Sequence, residues 1–342
     1  MKNPKISIII SNLNGVRLKL LDDCLNSLTK PNYPNWELFV VDNNSDDESV
    51  LYLQKRFQKL KNCHVIKNKV NMYSQGLNLG AKHAKGKYLA YFNNDVAIDK
   101  NYFRYVINKL ESDSSIAILQ GKLLNYYKRN IIDSAGETMD KFGNPITIGS
   151  GETDRGQYNN ENEILSASGS ACVIKKDIFQ KIGHYGPEYG IGYEDMDIAL
   201  RARSMGYKVV RFPKAVVFHK RASTDLAPFI RTKVKWHFNK NRLSTMIKNY
   251  PLSLLITSLP FTIMLYVFIG SWECLVHGNW KIGLTRFTSI GWVISNISKI
   301  IQRRNAIKKV TVDGYVFPIN LFSDKSFFTF FKDFLKINKS LK

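Results

Sequence analysis

The chain has 342 residues, a hydrophobic fraction of 44% and a formal charge of +22. That length fits one large α/β domain with an appendage, not three ordinary domains, and that apolar content excludes wholesale disorder. From Lys220 to Lys342 there are 20 Lys/Arg against 5 Asp/Glu, so most of the charge sits in a tail that also carries long apolar runs, a pairing that favours an anionic membrane over nucleic acid.

Residues 6–10 form an apolar, β-rich run ending in the turn-prone SNLNG, which predicts a strand and then a loop. Leu18, Leu21, Leu25 and Leu28 recur at helical spacing and predict a helix over 18–28. Strand 36–41 runs into DNNSDD, followed by helix 49–60, strand 65–67 and helix 74–84. A fourth strand, 88–92, delivers Asn93, Asn94 and Asp95 at its end. This alternation implies right-handed βαβ units and a mostly parallel sheet covered on both faces, with ligands beyond the carboxyl ends of its strands. Residues 121–163 are polar and weakly periodic, fitting a β-meander or an acceptor loop. A strand over 166–174, helices over 176–182 and 194–205, and a strand over 209–218 interrupted at Pro213 complete this part. Cys24, Cys63, Cys172 and Cys274 are scattered without a CxxC pair and read as reduced core residues of a cytosolic protein.

Acidic residues stand where such a sheet binds ligands. Asp42 ends ELFVVD; alone it reads as a turn cap, and an acid there also suits hydrogen bonding to a base or ribose hydroxyl. Asp95 ends YFNND, where a carboxylate suits a divalent cation on a diphosphate. Glu194, Asp195 and Asp197 open a predicted helix; Asp197 and Arg201 form an i,i+4 pair, and the cluster offers a general base. Gly183, Gly186, Gly190 and Gly192 are read as keeping the backbone open before it. His219 ends AVVFH, where a strand-end imidazole suits a metal ligand.

In order, SIIISNLNG, VVDNNSDD, NMYSQGLNLGAKHAKG, YFNNDV, ASGSACVIKKDIFQKIG, GYEDMDIALRARSMGY and VVFH resemble family-2 glycosyltransferases of the rhamnosyltransferase-like branch, over about 5–249. The resemblance implies a GT-A fold, a Rossmann-like sheet flanked by helices, in a catalytic domain of residues 1–245. It further implies that Asp195 is the catalytic base, supported by Glu194, in a single inverting displacement. Ser11, Asn12, Asn14, Asp42, Asn71, Gly76, Asn78 and Asn94 would bind a nucleoside-diphosphate sugar. Asp95, with His219, would hold Mg²⁺ or Mn²⁺, Asn93 replacing the second acid of the usual pair. The family usually carries bulky aromatics before the acidic pair, where this chain reads GHYGPEYGIGYED.

Residues 246–342 are expected to form a helical, membrane-associating extension. The stretch 249–272 carries no charge, long enough to span a bilayer, yet basic residues flank both of its ends and Pro260 lies within it. A hairpin or interfacial helix pair dipping into the cytoplasmic leaflet is therefore expected, with 287–301 and 321–335 lying on the surface. Such anchoring suits a lipid-linked or polysaccharide acceptor at the cytoplasmic face of the cell membrane. Two other readings are a metal-dependent nucleotidyltransferase, for which SNLNGVR is a poor glycine-rich loop, and a non-catalytic membrane-bound glycan-binding protein.

Overall fold

A computed structural model describes residues 4–221 and 228–323. The first half runs β1 (Ile6–Asn12), α1 (Leu21–Leu28), β2 (Trp36–Asp42), α2 (Ser49–Phe57), β3 (Cys63–Lys67), α3 (Tyr73–His83), β4 (Tyr88–Asn93), β5 (Val96–Ile98), α4 (Tyr102–Ser112) and β6 (Ile116–Asn125). Short strands β7 (Ile132–Ser134), β8 (Glu137–Met139), β9 (Pro145–Thr147) and β10 (Asn162–Glu163) follow. Then come β11 (Ala171–Lys175), α5 (Lys176–Lys181), α6 (Glu194–Ser204) and β12 (Lys208–His219). Four helices close the described chain: α7 (Pro228–Asn249), α8 (Leu252–Leu275), α9 (Trp280–Ser295) and α10 (Ile297–Val310).

The main sheet has the order β10-β12-β6-β11-β4-β1-β2-β3. It is mixed: β1, β2, β3 and β4 are parallel, and β12 is parallel to β6, while β11 runs antiparallel between β4 and β6. Every residue of β1 is buried because helices cover both faces. Ile6, Ile8 and Ile10 meet Leu25, Leu53, Phe103 and Leu110 of α1, α2 and α4, whereas Ile9 faces Leu77, Phe179 and Ala199 of α3, α5 and α6. Around Pro213, the register of β12 against β6 shifts between Phe212 and Val216, so the strand absorbs a residue without a ladder donor as a bulge. Within the stretch read as a meander or loop, β7 pairs β6 and β8 pairs β9, both antiparallel.

The helix α8 continues unbroken through Pro260 and packs against α9, the next helix. The α9 helix packs against both α7 and α8, burying Gly283, Thr285, Ser289 and Val293, so stretch 287–301 lies only partly on the surface. Leu243 and Ile247 of α7 join Tyr266, Val293 and Ile300 in one cluster, and Met246 and Tyr250 join Tyr193, Met196 and Leu200 of the α6 region in another. Most of 321–335 lies outside the described residues.

Candidate active site

The parallel strands place several predicted residues at one edge. Ser11 pairs with Asn93 and Asn12 with Asp42, so these tips are neighbours. His219, at the end of β12, pairs with Val96 next to Asp95, and antiparallel β11 starts there, bringing Gly169 and Ser170 to the same edge. A cavity of about 260 Å³ opens over this edge, lined among others by Ser11, Asn43, Asn71, Asn94 and Asp95. Its far wall is Gly190, Ile191 and, from α7, Lys233, Val234 and His237.

Asp42 does not line that cavity. Its carboxylate accepts from Asn12 Nδ2 at 2.8 Å, from the Ser45 amide at 2.9 Å and from Ser45 Oγ at 2.5 Å. It therefore caps the loop after β2. Asn14 serves the same loop, its Oδ1 accepting from the Asp46 amide at 3.0 Å, while Asn12 ties that loop to the turn after β4, its Oδ1 accepting from Asn94 Nδ2 at 2.8 Å. Gly76 lets α3 approach, since a Cβ there would lie 2.3 Å from Asn43 Oδ1. Asn78 bolts α3 to the 183–193 loop, donating to the Tyr185 carbonyl at 2.8 Å and accepting its amide at 3.1 Å. Of the residues expected to bind nucleotide, Ser11, Asn71 and Asn94 reach the cavity; Asn12, Asn14, Asp42, Gly76 and Asn78 shape its walls from behind.

His219 Nε2 lies 3.2 Å from Asp95 Oδ1, and its Nδ1 lies 2.8 Å from Asp133 Oδ2. Burial alone would lower the imidazole pKa, but hydrogen bonds to Asp133 and then Asp95 outweigh it and raise it to about 9. Arg221 also pairs with Asp133. Among the described residues no three His, Cys, Asp or Glu side chains converge on one metal position. A carboxylate oxygen and one imidazole nitrogen do meet, a donor set that fits Mg²⁺ or Mn²⁺ with its remaining positions left to phosphate and water oxygens. Asp133 holds the imidazole from behind as outer-sphere carboxylates do for ligating histidines.

The other acids open α6 after Tyr193, which takes a left-handed φ of 69°. Asp195 Oδ2 accepts the Gly169 amide at 3.0 Å and Oδ1 accepts the Met196 amide at 2.7 Å. Burial raises the Asp195 pKa, while these two amides work against the rise. Glu194 is pushed up to about 8 by burial and by the adjacent Asp195 charge, and its buried Oε2 has no hydrogen-bond partner among the described residues. Two such neighbouring acids do not both ionise in a buried site. The amides favour charge on Asp195, leaving the proton on Glu194. The Tyr73 hydroxyl joins the two acid sites: it lies 2.7 Å from Asn93 Oδ1 and 3.0 Å from the Gly169 carbonyl. Asp197 belongs to a different network. Burial would raise its pKa, but the charges of Arg201, 2.7 Å away, and Lys248, 2.8 Å away, hold it well below the usual range. The i,i+4 pairing read from sequence is the one that forms.

Two of the glycines before Glu194, Gly190 and Gly192, admit α7 rather than open the site. At Gly190, φ +69°, a Cβ would lie 2.4 Å from the His237 ring, and at Gly192, φ +80°, it would lie 2.6 Å from the Phe238 ring. Asn241 Nδ2 then reaches the carbonyls of Tyr189, Ile191 and Gly192 at 2.7 to 2.9 Å. Sequence reasoning missed Tyr73, Asp133, His237 and Asn241. Asp133 falls in the weakly periodic middle, and the two α7 residues sit in a basic stretch whose charge points to a membrane rather than to the site.

A sequence model described as Glycosyl transferase family 2 matches residues 7–183, just over half of the chain. "O-antigen biosynthesis protein RfbC" of Myxococcus xanthus is 22% identical over 68% of this chain and 18% of its own length. The Escherichia coli protein "UDP-Glc:alpha-D-GlcNAc-diphosphoundecaprenol beta-1,3-glucosyltransferase WfgD" is 28% identical over 49% of this chain and 58% of its own. Matches to the curated relatives thus span less than two thirds of their lengths. Among solved structures, GalNAc-T7 with UDP, GalNAc and Mn²⁺ superposes with a TM-score of 0.61 at 16% identity, covering 93% of this chain and 59% of that one. A Pyrobaculum calidifontis mannosyltransferase with GDP-Man and Mn²⁺ gives 0.52 at 12% identity, covering 94% and 84%. These likenesses establish the GT-A fold, and the matched sequence establishes the family: the chain belongs to glycosyl transferase family 2.

Proposed function

We propose that the chain transfers a sugar, with inversion, from a nucleoside-diphosphate sugar to a hydroxyl of a lipid-linked or polysaccharide acceptor at the cytoplasmic face of a membrane. The observation that carries this reading is the convergence, across Tyr73, of the Asp95–His219 pair and the Glu194–Asp195 pair at one sheet edge. The nucleotide would lie along Ser11, Asn71 and Asn94. Asp95 and His219 would hold a divalent cation on its diphosphate, and a bound cation supplies positive charge that offsets the departing nucleoside diphosphate. To hold the cation, His219 would release to solvent the proton on the nitrogen facing Asp95.

Asp195, held as a carboxylate by two backbone amides, accepts the acceptor's hydroxyl proton. The freed oxygen attacks the anomeric carbon as the bond to the β-phosphate oxygen breaks; the electron pair leaves with the nucleoside diphosphate, and no enzyme-bound sugar forms. Glu194 keeps its proton and prevents a second buried negative charge beside the base. The catalytic unit is residues 1–245 in outline, although position 245 falls within α7, whose N-terminal half walls the cavity. The remaining helices would associate with membrane through the exposed apolar side chains of α8, and WfgD's diphosphoundecaprenol acceptor supports a lipid-linked substrate.

A panel of nucleoside-diphosphate sugars, scored by thermal shift with Mn²⁺ and with chelator, tests the reading. Selective, Mn²⁺-dependent stabilisation by one donor is expected; no stabilisation by any donor would refute it.

A further inference from the structure

We infer that a second cavity, between α3, Pro187–Glu188, α7, α9 and α10, receives the diphosphate head of a lipid-linked acceptor; this rests on the transfer reading above. Its volume is about 570 Å³, the size of a small-molecule site. It meets the strand-edge cavity at His237, which lines both, so an occupant would lie beside the nucleotide-sugar.

Its chemistry is cationic and aromatic. The Lys240 ammonium sits 5.3 Å from the Trp236 ring centre and 4.5 Å from that of Trp292, and the two indoles meet edge to face at 6.4 Å. Lys240 donates to the Glu188 carbonyl and to Asn241 Oδ1, each at 2.6 Å, which fixes the ammonium inside the wall. Lys299 and Arg303, one helical turn apart on α10, add two more cations to the lining. Among the described residues Glu188 is the single acid lining the cavity, and it is already paired with Lys248 at 3.3 Å and with Arg303. Three cations against one carboxylate leave the lining with a net positive charge that favours an anion, and tryptophan faces suit a sugar ring or an isoprenoid unit. An acidic protein segment would satisfy the cations but leave the half-buried indoles unused. The helices forming the outer wall also expose Ile294, Ile297 and Ile301, giving a lipid tail an apolar path away from the head.

The test titrates farnesyl diphosphate, farnesol and inorganic pyrophosphate into the full chain in detergent, read by tryptophan fluorescence. Each titration is run with and without the nucleoside diphosphate that stabilises the chain most. Farnesyl diphosphate is expected to bind at least tenfold more tightly than either fragment. Lys299→Glu, an exposed position, is expected to weaken it at least tenfold while nucleotide binding stays within twofold. Unchanged affinity in Lys299→Glu overturns the proposal, and pyrophosphate binding as tightly as farnesyl diphosphate overturns the lipid assignment. Binding of farnesyl diphosphate in a chain that no nucleotide-sugar stabilises would instead leave the cavity standing and remove the transfer reading.

Discussion

Consecutive helices α7 and α8 reverse the usual relation between polarity and burial. Basic, hydrogen-bonding α7 is inside: His237, Lys240, Asn241, Arg242 and Lys248 are all buried. Apolar α8, with a mean hydropathy of 2.1 in its best window, has only 28% of that window buried and exposes Leu252, Ile256, Met264 and Phe268. In a water-soluble fold each pattern would be costly. Partners account for the first. The polar groups of α7 meet loop carbonyls and acids: Asn241 on three carbonyls, Arg242 on the Phe142 carbonyl, Lys248 on Asp197. The exposed apolar side chains of α8 are compatible with contact with lipid. Hydrophobicity along this part of the chain therefore does not report how deeply a helix is buried.

The largest expected effect falls on the acid that the α7-clamped loop delivers. Asp195→Asn should lower transfer by about 10²- to 10⁴-fold while donor affinity stays within about threefold in the same titration. Normal turnover would detach α7 and its loop from the chemistry.

Asn241→Leu tests the polar interior of α7 itself. Leaving buried carbonyls without a donor costs about 1–3 kcal/mol each, so Tm should fall by several degrees. An unchanged melting curve would mean that α7's polarity is incidental. Asp133→Asn should weaken Mn²⁺-dependent nucleotide binding by about 10- to 100-fold, read by calorimetry, because His219 loses its rear support; equal affinity would remove Asp133 from the site.

On α8 the opposite chemistry is expected to be harmless to folding. Phe268→Gln should leave Tm within about 1 °C, as exposed substitutions do, yet reduce partition onto phosphatidylglycerol vesicles several-fold. A large fall in Tm would place Phe268 in a protein core. The smallest effect concerns pH. Glu194 carries a folded-state pKa of about 8 against an ordinary 4.5, so its contribution to stability is complete below pH 4.5 and is lost as the pH rises towards 8. Glu194→Gln should flatten that part of the Tm profile, with Glu137, also raised to about 8, leaving some slope. An unaltered slope would show that Glu194 ionises freely.

Much of the N-terminal half was legible because burial on both faces writes near-continuous apolar strands, as in β1 and β2, and spaced leucines mark α1. Asp95 and Asp195 were legible as acids at strand and helix ends. Helix α4, with Tyr102, Phe103, Val106, Ile107 and Leu110 on one face, also carries a period readable in the sequence. Strand β6 has apolar residues interrupted by Gln120, Gly121 and Lys122; its buried Gln120 Oε1 accepts the Ser168 amide, a long-range partner that local pattern does not reveal. The same holds for Asp42. Its place behind the cavity depends on Asn12 and Ser45, and only the folded register shows that the carboxylate is occupied.

Hydrogen exchange of the full chain, with and without the stabilising nucleoside diphosphate and Mn²⁺, tests the central comparison most directly. Protection is expected at residues 11–14, 71–76 and 93–96, at 189–193 and in the 233–241 segment of α7, with α8 unchanged. Protection confined to the strand tips, with 233–241 exchanging as in the free protein, would contradict the claim that α7 is part of the active site.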